Sequence, residues 1–353
     1  MRFNDICKLR ENLRPFDPEV YKAVLNNWDT VAKPLDGLGK YEKIIARIGA
    51  VQGTDRPALD RRVLLVFIAD NGIVEEGVSQ CGSEVTHSVA EAMAENASTV
   101  CVMAKQAGIS VHPVDIGMKG EKINGIEDRR IREGTRNFLK ESAMTLEETK
   151  KAIENGYAAA KNVFKNGCDI LLLGEMGIGN TSSSAAVSCA LLGLDPFDVV
   201  GRGAGLSNEK TAHKCGVIKK ALEKYDFDGN DILNVLSIFG GYDIAGMIGA
   251  ILAAAQFKKP VVVDGLITLA AVFAAEKLFN GVKDICIPSH RPREKTGRLL
   301  LEKLGLDAPI DADMALGEGT GAVLLLPQLD VCLALYNNGR RFEGLGIDAY
   351  KRF

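Results

Sequence analysis

The chain has 353 residues, enough to bury a sizeable core as one large domain or two. Hydrophobic residues at 46% and charged residues at 25% describe an ordinary globular protein. A formal net charge of −3 and aromatics at 6%, with Trp28 the single tryptophan, argue against a nucleic-acid binder, which needs a basic face or stacking platforms.

In chain order, the start (Met1-Arg-Phe-Asn-Asp) has no apolar leader. The first 50 residues carry no strand signal. They hold one helical stretch, Lys40–Ala50, with Tyr41, Ile44, Ile45 and Ile48 on one face. Six apolar, β-branched runs follow, each ending near Gly, Asp or Asn: Val63–Asp70, Ile109–Gly117, Cys168–Gly174, Val235–Gly241, Pro260–Gly265 and Asp284–His290. Helical patterns lie between several of them: Ser83–Gln106, Leu146–Asn166, Asn208–Tyr225, Tyr242–Phe257, Leu266–Phe279 and Pro292–Leu304. The alternation predicts an α/β fold, a mostly parallel sheet with helices on both faces. The last 30 residues look helical again. We expect a large α/β domain over 60–320 and a small helical one from 1–59 plus 321–353.

No uninterrupted apolar span reaches 18 residues, so neither secretion nor membrane insertion is expected. Cysteines at 7, 81, 101, 168, 189, 215, 286 and 332 form no C-x-x-C pair and read as reduced thiols of a cytoplasmic protein. His87, His112, His213 and His290 show no H-x-x-x-H spacing, so no metal site is expected, and no G-x-S-x-G elbow suggests a serine hydrolase.

Parallel sheets bind ligands at the carboxyl ends of their strands, and the informative residues fall there. Leu171 to Ser184 read as strand, glycine turn and helix start. Such a junction offers unpaired backbone N–H groups and a positive dipole end, and so suits a phosphate. Gly177 and Gly179 admit a close ligand, and Glu175 suits sugar hydroxyls or a ring N–H. The pair suggests a phosphorylated sugar, although a plain capped helix after a buried strand has the same pattern. Neither a P-loop lysine nor the third glycine of a dinucleotide fingerprint is present.

Leu316-Gly-Glu-Gly-Thr-Gly-Ala322 holds a lone acid, Glu318, between glycines. Partly desolvated, it would have a raised pKa and serve as a general base near neutrality; as a surface-turn acid it would do neither. The long acidic loop from Asp70 to Gln80 suits substrate, with Ser79 and His87 as neutral hydrogen-bonding groups. Gly201-Arg-Gly-Ala-Gly205 opens a helix carrying Lys210 and Lys214, either of which could neutralise a phosphate or simply be solvated.

Taken together, the segments Pro34–Glu42, Asp70–Thr86, Gly174–Thr181, Gly201–Gly205, Gly240–Asp243, Ser289-His290 with Glu294, and Leu316–Ala322 resemble the nicotinate-nucleotide–dimethylbenzimidazole phosphoribosyltransferase family in order and over nearly the whole chain. The resemblance implies a reaction in which a benzimidazole nitrogen displaces nicotinate from C1′ of nicotinate mononucleotide, inverting the configuration. It implies Glu318 as general base with Glu175 beside it. It sets Ser79, His87, Met176 and Leu316 on the base substrate, and Gly177, Gly179, Asn180, Thr181, Ser182, Gly203, Lys214 and Ser289 on the phosphoribosyl group. It also implies a three-layer Rossmann-like core, no metal or organic cofactor, and a dimer with itself or with a paralogous chain. Four positions depart from the family pattern: Asn71 in place of His, His87 in place of Gln, and Asp36-Gly37 where Gly-Ser is common. A ring nitrogen at 87 in place of an amide would change which edge of the aromatic substrate is read. Transfer to a phenol, or service as a silent nucleotide-binding partner subunit, remain alternatives.

Overall fold

The computed structural model describes residues 2–8, 13–203 and 205–352. Met1 and Ala204, the latter inside the third glycine loop, lie outside them. Six parallel strands form one sheet: β1 (Arg62–Ala69), β2 (Ser110–Gly117), β3 (Glu127–Asp128), β4 (Ile170–Met176), β5 (Val261–Val263) and β6 (Cys286–Pro288), in the order β3-β2-β1-β4-β5-β6. The chain reverses direction across the sheet between β1 and β4, and a crevice opens at the carboxyl ends beside such a switch point.

Side chains alternate between the two faces, as the pleat requires. Leu65, Phe67, Leu171, Leu173, Val261 and Val263 face one helical layer, which includes Leu146–Lys165, Asn180–Leu192, Tyr242–Phe257 and Leu266–Leu278. Leu64, Val66, Ile68, Leu172, Val262 and Ile287 face the other. That layer joins the two chain ends: Trp28 from Pro18–Thr30 meets Tyr336 from Thr320–Asn338, ring centroids 4.9 Å apart. Together they form a three-layer α/β/α protein.

Two expected elements differ. Val235–Gly241 is not a strand: Ile232–Phe239 is a helix, started by Asp231, whose side chain accepts from the Asn234 N–H at 3.1 Å. The run is apolar and largely buried, and such a run has no period that separates strand from buried helix. Ser83–Gln106 is two helices, Glu84–Ala94 and Thr99–Gln106, and Ser98 caps the second through the Cys101 N–H.

Among the described residues, helix Thr320–Asn338 alone is long and apolar enough to cross a membrane by length and composition, although Gln328 and Asp330 interrupt its apolar run. It is 19 residues long with a mean hydropathy of 1.3 in its most apolar window. Half of that window is buried inside the protein, where Leu325, Leu326 and Leu329 pack on the sheet.

Candidate active site

A cavity of about 360 Å³ opens at the carboxyl ends of β4, β5 and β6. It is built around two glycine-bearing junctions. In the first, β4 delivers Glu175 and Met176, then Gly177 to Gly179 turn the chain into helix Asn180–Leu192. In the second, Gly317, Glu318 and Gly319 lead into helix Thr320–Asn338.

The second junction is strained. Gly317, Glu318 and Gly319 have φ of +88°, +59° and +89°. A non-glycine residue in the left-handed region costs about 1 kcal/mol and persists where its surroundings impose it. Three contacts impose it here. A Cβ on Gly174 would lie 2.4 Å from the Glu318 carbonyl oxygen, so only glycine in β4 lets this loop seat on the strand. Asp264, at the end of β5, accepts from the Gly319 N–H at 3.2 Å and the Gly321 N–H at 2.8 Å. Glu318 Oε2 accepts from the Val100 N–H at 3.3 Å, in the first turn of helix Thr99–Gln106. The break between the two helices of 84–106 thus presents a helix N-terminus to this carboxylate.

Glu318 is half-buried, and burial raises its carboxyl above the ordinary range while the Val100 N–H pulls it back. Glu175 is buried deeper, and desolvation together with the Asp243 carboxylate pushes it well above the ordinary value. The Asn180 side-chain amide donates to both acids, to Glu175 Oε2 and at 3.1 Å to Asp243 Oδ2. Asp243 is raised to about 6 and Asp264 to about 7, each mainly by burial. Burial lowers His290, on the cavity wall, to about 4, so it is neutral at pH 7.

Away from these acids a buried cation stands behind the lining. Lys214 is 2% exposed, and its Nζ donates to Thr181 Oγ1 at 2.9 Å. Burial lowers its ammonium to about 8, while Glu294 works in the opposite direction. A Cβ on Gly203 would stand 3.2 Å from Thr181 Oγ1 and 3.3 Å from Lys214 Nζ, so the third glycine loop closes on this pair. The Gly203 N–H is spent on Glu294 Oε1 at 2.9 Å.

Of the residues expected at the site, Glu175, Met176, Gly177, Asn180, Thr181, Gly203, Leu316 and Glu318 line the cavity. Lys214 reaches its edge through Thr181. Three stand behind the wall. Gly179 is the N-cap of its helix with φ +94°. Ser182 is fully buried. Ser289 bonds His290 Nδ1 at 3.0 Å. The Asn180 amide is committed to two carboxylates, so its side chain is an acid clamp rather than an anion donor.

Ser79 and His87 are outside the lining. Ser79 contacts Cys81 Sγ at 4.0 Å, and His87 Nε2 stands 3.5 Å from Glu91. On helix Glu84–Ala94 the cavity face carries Val85 and Val89, and residue 87 lies about 200° around the helix from 85. Asn71 is likewise buried away from the cavity, accepting from Ser183 Oγ at 2.8 Å. Motif reading gives no role to Asp264 and Glu294, which line the cavity, or to Asp243, which accepts from Asn180 behind it. The available signal is position: Asp264 ends a strand run beside Gly265, and Asp243 follows a Gly-Gly pair.

A parallel α/β fold with an acid-lined pocket beside a buried lysine and glycine loops is the equipment of a transferase acting on an anionic sugar. The sequence pattern of the family described as "Phosphoribosyltransferase" matches residues 13–347. A nicotinate-nucleotide–dimethylbenzimidazole phosphoribosyltransferase of Acetivibrio thermocellus is 37% identical over 338 residues, covering 94% of this chain and 96% of that protein. One from Clostridium perfringens is 36% identical over 346 residues, covering 98% and 95%. The crystal structure of the Thermus thermophilus protein of the same name superposes with a TM-score of 0.88 at 35% identity, covering 94% of this chain and 99% of that one. The chain belongs to this phosphoribosyltransferase family.

Proposed function

We propose that the chain transfers the ribose 5-phosphate of nicotinate mononucleotide to a benzimidazole-type lower-ligand base, releasing nicotinate and forming α-ribazole 5′-phosphate for cobalamin-type cofactors. The observation that carries the reading is a raised, strained carboxylate, Glu318, sharing one cavity with Thr181, whose hydroxyl is backed by the buried Lys214. The phosphate lies toward Lys214, Thr181 and the N-terminus of helix Asn180–Leu192. The base ring stacks on the apolar wall of Val85, Val89, Met176 and Leu316. Glu318 takes the ring N–H proton as the opposite ring nitrogen forms its bond to C1′. The C1′–pyridinium bond breaks, and its electron pair returns to the nicotinate nitrogen. Holding both reactants in line supplies much of the acceleration. Glu175 orients the ribose or ring through hydrogen bonds.

The reaction runs on side chains without a cofactor. The buried thiols, among them Cys101, Cys189 and Cys286, suit a reducing cytoplasm. A second copy or a paralogous chain is the expected partner, and exposed Leu324, Val331 and Leu335 on helix Thr320–Asn338 offer an apolar face for it. The test is to incubate the purified chain with nicotinate mononucleotide and a mixture of dimethylbenzimidazole, adenine, phenol and p-cresol, and to weigh the products. A ribosyl phosphate adduct of dimethylbenzimidazole is the expected product. Nucleotide bound without any adduct would contradict the reading.

A further inference from the structure

We propose that Glu294 is a positioning residue for the donor phosphate: its carboxylate latches the Gly201–Gly203 loop against Thr181 and Lys214. The inference rests on the phosphate assignment made above. Glu294 occupies the N-cap of helix Lys295–Leu304, where a polar side chain ordinarily bonds its own helix, yet it makes no cap hydrogen bond. The carboxylate is turned onto the loop instead. Oε1 accepts from the Gly203 N–H at 2.9 Å, and a Cβ on Gly201 would lie 1.9 Å from Oε2. Both oxygens therefore lie against the loop, and a side chain at residue 201 would displace the carboxylate.

The other side of the same loop is the anion subsite, where Gly203 approaches Thr181 Oγ1 and Lys214 Nζ. One side chain, reaching from β6's outgoing segment, thus fixes how far the loop stands from the lysine. It has a second effect on the same group. Its negative charge opposes the desolvation of Lys214 and helps keep the ammonium protonated. A carboxylate beside a phosphate would ordinarily repel it. Here Oε1 is committed to the Gly203 N–H, and the Thr181 hydroxyl lines the cavity with the Lys214 ammonium directly behind it.

The test is steady-state kinetics with nicotinate mononucleotide and dimethylbenzimidazole for E294A, E294Q, G201A and K214A, with Tm recorded for each. E294A is expected to raise the KM for the nucleotide about tenfold or more, with kcat within about threefold and the KM for dimethylbenzimidazole unchanged. E294Q keeps an oxygen for the Gly203 N–H and should rescue most of that loss at pH 7. Its nucleotide KM should begin to rise at lower pH than in the wild type, because Lys214 has lost a supporting charge. G201A, which adds one methyl where the carboxylate sits, should reproduce the KM rise and carries the test if E294A does not fold. A nucleotide KM that is unchanged or lower in E294A, with K214A raised, overturns the latch alone; a lower value would make Glu294 a competitor for the phosphate. An unchanged KM in K214A overturns the phosphate assignment and the latch with it.

Discussion

Two junctions in this protein share one grammar and have opposite electrostatics. Each runs through a carboxylate, Glu175 or Glu318, to a left-handed glycine N-cap, Gly179 at φ +94° or Gly319 at φ +89°, and then into a helix. The start of helix Thr320–Asn338 is capped from outside by Asp264, which takes the Gly319 and Gly321 N–H groups. Its positive end is neutralised, and the acid above it is stranded in a left-handed, half-buried setting. At the other junction the carboxylate is held back by the Asn180 amide, and a buried lysine and hydroxyl stand beside the helix start. One junction is therefore suited to receive a proton and the other to receive an anion. The difference lies in which distant residue each junction meets.

Removing the acid of the first kind has the largest expected effect. Glu318→Gln should lower turnover by roughly 10²–10⁴, the usual span for a general base, with nucleotide affinity preserved. Asp264→Asn weakens the external cap and removes a neighbouring negative charge. We expect kcat to fall about tenfold, the loss of one charged hydrogen bond, and the acid limb of the pH–rate curve to move to lower pH. An unmoved limb would mean that Asp264 does not set the Glu318 environment.

Lys214→Ala addresses the anion side and should raise the nucleotide KM about tenfold or more with kcat nearly unchanged. In the wild type the same KM should climb above pH of about 8, as the buried ammonium loses its proton. Stability offers a quieter contrast. Asp243 and Asp264 have folded values near 6 and 7, above the 3.8 of an unperturbed carboxyl. Their protonated forms contribute stability that is fully present below pH 3.8 and lost as the pH rises through those values. Thermal melts should therefore drop between pH 4 and about 7, and D243N should flatten part of that slope; a flat wild-type curve would contradict these shifts. The smallest expected effect is His87→Gln, which should leave the ratio of phenol to benzimidazole turnover within about twofold. A larger change would mean that His87 reaches the substrate.

What is legible in the sequence follows the same division between local and distant. The parallel sheet, the glycine turns at its carboxyl edge and both catalytic candidates are visible because strand period, turn chemistry and lone acids are local signals. Val235–Gly241 reads as a strand because a short run buried on all sides has no period to betray the helix Ile232–Phe239. Asp264 and Glu294 gain no role from motif reading, since each acts on backbone N–H groups far along the chain, 55 and 91 residues away. Motif order places His87 on substrate, yet two residues along a helix from Val85 is the wrong side.

The most direct test is the pH dependence of kcat for dimethylbenzimidazole transfer in the wild type and in E318Q, from pH 5 to 9. The account predicts a wild-type rate that rises through the elevated Glu318 carboxyl, and an E318Q rate that is flat across that range and at least a hundredfold lower at pH 8. A rising limb retained in E318Q, with turnover within about tenfold of the wild type, would contradict it.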